Sequence, residues 1–154
     1  DLHSFPTRRS SDLFVTDGIG GAYAIDQDTG EEEWCPAVTA SVTDATGAGD
    51  VFASGLVLGC LAGWPLEQRL KFASLTASLA VQQFGGSLAA PGWGDIADWW
   101  RCLRRRATGG DLKAAHISRD YGFLEDLIPR HQVHSVRRAE ATFASHSDLP
   151  DKRK

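Results

Sequence analysis

The residues best placed to do chemistry form one run, Thr43-Asp44-Ala45-Thr46-Gly47-Ala48-Gly49-Asp50, followed at once by the apolar stretch 51–62. Small residues that open an apolar helix make an anion site in outline. Glycines let the backbone come close to a ligand, and the first amides of a helix have no internal acceptor. The helix dipole adds positive potential at the same end. Gly47, Ala48 and Gly49 are therefore candidates to direct N–H groups at a phosphate whose charge changes during transfer, a role worth about 2.7–4 kcal/mol for a single donor of the oxyanion-hole type. Asp50 is the odd member, because a carboxylate repels an anion. Two readings stand side by side: a general base that accepts the proton of an attacking hydroxyl, or a first-turn acid that complements the dipole. No Gly-Lys-Ser/Thr follows, so this is not a P-loop, and Gly18, Gly20 and Gly21 do not spell the dinucleotide fingerprint.

These residues need elements to hold them. Residues 13–16 read as a strand running into the glycine turn 17–21, residues 22–25 as its continuation, and 28–30 as a hairpin turn. Residues 31–34 and 37–42 read as returning strands, with Pro36 at an edge or break. Stretch 51–62 reads as a buried helix. Pro65 opens a second helix, in which Leu66, Leu70, Ala73, Ala77 and Val81 recur on one face and Leu75 and Leu79 widen it. A third helix spans 95–106, with Asp95 as N-cap and Ile96, Trp99, Trp100 and Leu103 on its buried side. The tryptophan pair suits packing better than base or sugar stacking.

Composition narrows the function classes. The chain has 154 residues, 42% of them hydrophobic, and a formal net charge of −4. That balance gives no concentrated basic surface for a nucleic-acid partner. The basic runs at Arg104–Arg106, Arg137-Arg138 and 152–154 read as solvated surface. Three scattered cysteines, Cys35, Cys60 and Cys102, fit no zinc spacing and suit a reducing compartment, so a cytoplasmic location is expected. No window approaches the ~18–20 apolar residues of a membrane span.

Both ends differ from the middle. Residues 1–13 have no start methionine and resemble a translated adapter, a non-native leader fused to a truncated reading frame. After Gly109-Gly110, two short helices are expected at 114–117 and 121–128, with Pro129 stopping the second and a disordered tail beyond. His116, His131, His134 and His146 read as solvated side chains rather than metal ligands.

The run Asp44-Ala45-Thr46-Gly47-Ala48-Gly49-Asp50-Val51-Phe52 resembles the D-T-x-G-A-G-D-x-F motif of the PfkB/ribokinase family. Upstream, residues 15–22 are similar to that family's nucleotide turn, and Phe84-Gly85-Gly86-Ser87 to the glycine turn closing its long helix. The resemblance covers about residues 14–107, taken as the C-terminal half of a kinase domain, with 108–154 an extension and tail. It implies an α/β fold, the C-terminal part of a three-layer α/β/α sandwich with a mainly parallel sheet. It further implies ATP-dependent phosphorylation of a sugar hydroxyl with Mg2+, Asp50 as base, and Gly47, Ala48 and Gly49 as anion hole. Thr16, Gly18 and Gly21 would line the phosphate and ribose side, and Ser74 would lie near adenine. Asp44, Thr46 and carbonyls near Ala80, Gln83 and Gly85 match a K+ site whose completing serine is here Ala89. A homodimer of the full-length parent is compatible with the family.

Two departures matter. Ala45 stands where the motif usually has threonine, and the family's sugar-binding half is not in this chain. A nucleoside kinase of the same family, a non-catalytic nucleotide- or sugar-binding module, and a stand-alone interaction domain remain the rival readings.

Overall fold

Short runs rich in apolar and aromatic residues, bounded by tight turns, make the three strands among the described residues. The structure, a computed structural model, describes residues 12–131 and 133–135. Most of the expected leader, the basic runs at 137–138 and 152–154, His146 and the expected tail lie outside the described residues. Strands β1 (Leu13–Thr16), β2 (Ala22–Ile25) and β3 (Glu32–Cys35) form a sheet in that order. The β2–β3 turn closes because the Asp26 carboxylate accepts the amides of Asp28 (2.9 Å) and Thr29 (3.0 Å). Both pairings are antiparallel, and the expectation of a mainly parallel sheet is not met among the described residues. Hairpin connections this short permit only antiparallel neighbours.

Residues 37–42 are not a strand, another correction. Pro36 supplies no ladder amide, and the chain instead turns toward the second helix, where the Thr43 amide donates to the Val81 carbonyl at 2.7 Å.

Helix α1 (Ala48–Leu61) starts three residues earlier than the apolar run suggested, which places Asp50 inside its first turn. Helix α2 (Leu66–Ala80) buries Leu66, Leu70, Ala73 and Leu75, while Ala77 and Leu79 are half-buried. Its Leu66, Leu70 and Ala73 join Ala22, Ala24, Cys35, Phe52 and Leu56 in one core between sheet, α1 and α2.

A second core lies on the far side of α2. There Phe72 and Leu75 meet Ile96, Trp100 and Leu103 of α3 (Trp93–Thr108) and Ala114, Tyr121 and Leu124. Trp99 is half-buried and meets Tyr121 edge-on at 5.2 Å, so both tryptophans pack. The α3 cap is Gly92; Asp95 sits one turn in and reaches back to the Gly92 amide at 2.8 Å. A capping box thus replaces the expected Asp95 cap.

The last helices are α4 (Leu112–Asp120) and α5 (Leu124–Leu127). Asp111 caps α4 by accepting the Ala114 amide at 2.9 Å. Asp111→Ala is expected to lower stability by about 1 kcal/mol, read from the urea midpoint. Arg104 and Arg106 are exposed, as expected, yet they reach Glu125 (3.0 Å) and Asp111 (2.6 Å). Such exposed pairs add little. No helix among the described residues is long and apolar enough to cross a membrane.

Candidate functional site

The loop before α1 is built by three contacts remote in sequence or type. The Thr43 and Asp44 amides both donate to the Val81 carbonyl at the end of α2. The Asp44 carboxylate accepts the Thr46 amide at 2.9 Å. Gly47, the N-cap of α1, lies against the glycine turn 84–87, where an added Cβ would come within 2.4 Å of the Ser87 amide nitrogen.

At the mouth of α1 the amides are not equivalent. The Ala48 amide closes a turn onto the Ala45 carbonyl at 3.2 Å, and the Val51 amide bonds the Gly47 carbonyl at 3.0 Å. Among the described residues the Gly47, Gly49 and Asp50 amides find no acceptor. Of the three amides expected to face an anion, Ala48 is thus engaged locally, and the Asp50 amide joins Gly47 and Gly49 instead.

Beside this mouth lies a cavity of about 540 Å³, a size that suits a small organic ligand. The turn 16–22 forms one wall, the segment 37–42 a second, and the start of α1 with the Ser74–Val81 part of α2 the rest. Thr16, Gly18, Gly21 and Ser74, all singled out in the sequence, line it together with Ala48 and Gly49. Gly21 has φ +107°, and a Cβ there would strike the Cys35 carbonyl oxygen at 2.3 Å, so this turn needs glycine. Asp50, Gly47, Asp44 and Thr46 do not line the cavity. The exposed Asp50 side chain makes no ion pair among the described residues, and its backbone carbonyl accepts the Ser54 hydroxyl at 2.8 Å.

Asp44 behaves as a brace. The Thr46 hydroxyl and then the Thr46 amide hold its carboxyl below the ordinary value of 3.8, with the Gly85 and Gly86 amides assisting. A depressed folded pKa contributes stability that is present above the unfolded pKa and is lost as pH falls through the folded value. The protection factor of the Thr46 amide, which corrects for the slower intrinsic exchange in acid, should therefore fall as pH drops through the folded Asp44 value, and Asp44→Asn should abolish that response. Among the described residues no group of His, Cys, Asp or Glu is arranged to hold a metal ion, and His116, His131 and His134 are exposed.

Sequence reasoning missed the wall at Val38 and Val42, whose apolar side chains resembled strand residues, and Phe52 from α1. It also missed Cys35. Buried beneath Ser74, its thiol is pushed up by burial and pulled back by the Ser74 and Tyr121 hydroxyls; Tyr121 Oη lies 3.9 Å from its sulfur. No local pattern links residues 86 positions apart.

A small sheet, a glycine loop opening a helix and a cavity between them form part of the ribokinase-like α/β fold. A solved nucleoside kinase of Burkholderia thailandensis, in complex with inosine, aligns with TM-score 0.52 at 34% identity over 57% of this chain and 29% of its own. The ribokinase of Cryptococcus neoformans in complex with ADP aligns with TM-score 0.51 at 28% identity over 58% and 28%. The model of the pfkB family of carbohydrate kinases matches residues 2–92, and the chain belongs to that family. The match takes in most of the N-terminal segment set aside above and stops before α3. The 5-dehydro-2-deoxygluconokinase of Bacillus velezensis is 36% identical over 90 residues, 58% of this chain. The chain spans 27% of that relative's length.

Proposed function

We propose that this segment is the nucleotide and phosphoryl-transfer part of an ATP-dependent sugar kinase. The observation that carries the reading is the mouth of α1. Amides with no acceptor among the described residues lie beside a cavity sized for a nucleotide, and a carboxylate with no ion pair among those residues stands in the same helical turn. The ADP held by the Cryptococcus ribokinase supports the nucleotide assignment.

In this reading the cavity takes the base and ribose of ATP. Apolar Val38, Val42 and Val81 contact the base, with Ser74 available as a polar anchor. Thr16, Gly18 and Gly21 sit along the ribose and phosphate side. The Gly47, Gly49 and Asp50 amides stabilise charge on the γ-phosphoryl group in transit. Asp50 takes the proton from the acceptor hydroxyl as its oxygen bonds to phosphorus and the bond to ADP breaks. Mg2+ would arrive with the nucleotide and neutralise phosphate charge, since no carboxylate group among the described residues is arranged to hold it. K+ beside Asp44 and Thr46 is no part of this reading, in which the Asp44 carboxylate braces the loop by accepting the Thr46 amide. A cytoplasmic location fits this chemistry.

The 154-residue chain alone is expected to bind nucleotide and to turn over little or none, because it spans only 27% of the length of its Bacillus velezensis relative. Coupled ADP release, with sugars and with inosine as acceptors, tests this on the chain and on its complete parent. Rapid acceptor-dependent turnover by the chain alone overturns the division of labour. Faster turnover of the parent with inosine than with any sugar selects the nucleoside-kinase alternative, which the Burkholderia similarity supports. Nucleotide binding with no turnover by the parent leaves the non-catalytic module.

A further inference from the structure

Cys35 ends strand β3 fully buried, and its sulfur joins two distant parts of the fold. The thiol donates to the Pro36 carbonyl at 3.4 Å, and Tyr121 Oη lies 3.9 Å from the same sulfur. Burial pushes both the thiol and the phenol up from their ordinary values, so each keeps its proton at neutral pH. A thiol has one hydrogen, and here Pro36 takes it. The sulfur is left as an acceptor, so the Tyr121 hydroxyl is the donor in its own contact. The Tyr121 ring is itself fixed, with Trp99 edge-on and Phe123 stacked at 6.0 Å.

What this pair holds is the start of the cavity wall. Pro36 leads into residues 37–42, which make no hydrogen bond to any described residue. A wall without a ladder is held at its ends and by side-chain packing. The far end is tied where the Thr43 amide meets the Val81 carbonyl at 2.7 Å. The near end has Cys35 and Tyr121. Between them, Val38 both lines the cavity and packs against the second core, to which Tyr121 belongs. We propose that Tyr121 is a positioning residue for the cavity: acting through Cys35, it fixes Pro36 and the wall 37–42 against which the nucleotide base lies. The inference rests on the nucleotide reading above for the identity of the ligand. Tyr121 lies beyond residue 92, where the family match ends, so the segment after α3 shares in ligand binding.

A double-mutant cycle on ADP affinity, measured by calorimetry on the 154-residue chain, tests the coupling. Tyr121→Phe keeps the ring and removes only the hydroxyl. It is expected to weaken ADP binding roughly threefold or more, since a looser wall must be ordered by the ligand, and Cys35→Ala likewise. The double variant is expected to lose no more than Cys35→Ala alone, because the hydroxyl then has no sulfur to act on. A merely structural Tyr121 would add its own loss. Additive losses, or ADP affinity unchanged by Tyr121→Phe, therefore overturn the proposal. Cys35→Val, suited to a strand, replaces Cys35→Ala if that variant unfolds. The ligand-free chain gives a second readout, in which Tyr121→Phe should move the amide NMR shifts of residues 37–42. Shifts that stay in place overturn the proposal whatever ADP does. Shifts that move in a chain whose wild type binds no ADP defeat the nucleotide reading and leave the coupling of Tyr121 to the wall standing.

Discussion

Asp50→Asn in the complete kinase is expected to lower turnover by about 10²–10⁴-fold while nucleotide affinity holds within a small factor. The amide cannot accept the proton of the attacking hydroxyl, yet its size is almost unchanged. The side chain is exposed, makes no ion pair among the described residues and does not line the cavity, so the folded chain loses no internal contact with it. That separation makes the experiment decisive. A dipole-complementing acid contributes only ~0.3–1 kcal/mol of stability and nothing specific to transfer. Steady-state kinetics with ADP titration on the same variant distinguishes the readings. Parallel loss of turnover and nucleotide binding assigns Asp50 a structural role.

The second large effect is expected at Gly47. Its φ is +74°, and a Cβ would lie 2.4 Å from the Ser87 nitrogen and 2.7 Å from the Gly86 carbonyl carbon. Both neighbours are backbone, so nothing flexible can move aside. Gly47→Ala is expected to cost roughly 2–6 kcal/mol, combining left-handed strain with overpacking, and to abolish nucleotide binding as the loop leaves the glycine turn. Gly49 is the control. It has no heavy atom within 4 Å of an added Cβ and lies in the helix, so Gly49→Ala should leave the unfolding free energy in urea unchanged or raise it by about 0.5–1 kcal/mol. If the γ-phosphoryl group approaches that amide closely, the same methyl still lowers turnover of the complete kinase. Stability lost at 47 and turnover lost at 49 together identify a phosphate loop; unaltered turnover in Gly49→Ala removes it from the anion site.

Much of this was legible from neighbours in the chain. The Gly47–Asp50 loop, the helix after it, the Pro65 start of α2 and the Gly18–Gly21 turn all announce themselves within a few residues. Caps, turns and 3.6-residue spacing are local effects. Where several local solutions were open, the packing chose. Asp95 was equally able to cap α3 or to brace Gly92 as its cap, and the chain path set the latter. Residues 37–42 have strand-like composition but no partner beyond Pro36, so they became a cavity wall.

The sequence by itself determined which residues could bind an anion and accept a proton, because helix-mouth amides and an adjacent carboxylate come from consecutive positions. Only the tertiary structure decided how the loop is held, since Gly47 lies against a turn about forty residues away and the Thr43 and Asp44 amides reach the Val81 carbonyl. It alone brought Thr16, Gly21 and Ser74 to one cavity, seated Cys35 under Tyr121 and left the far side of α1 bare. Those outcomes depend on pairings distant along the chain, and the contacts that select them exist only once the whole core has formed.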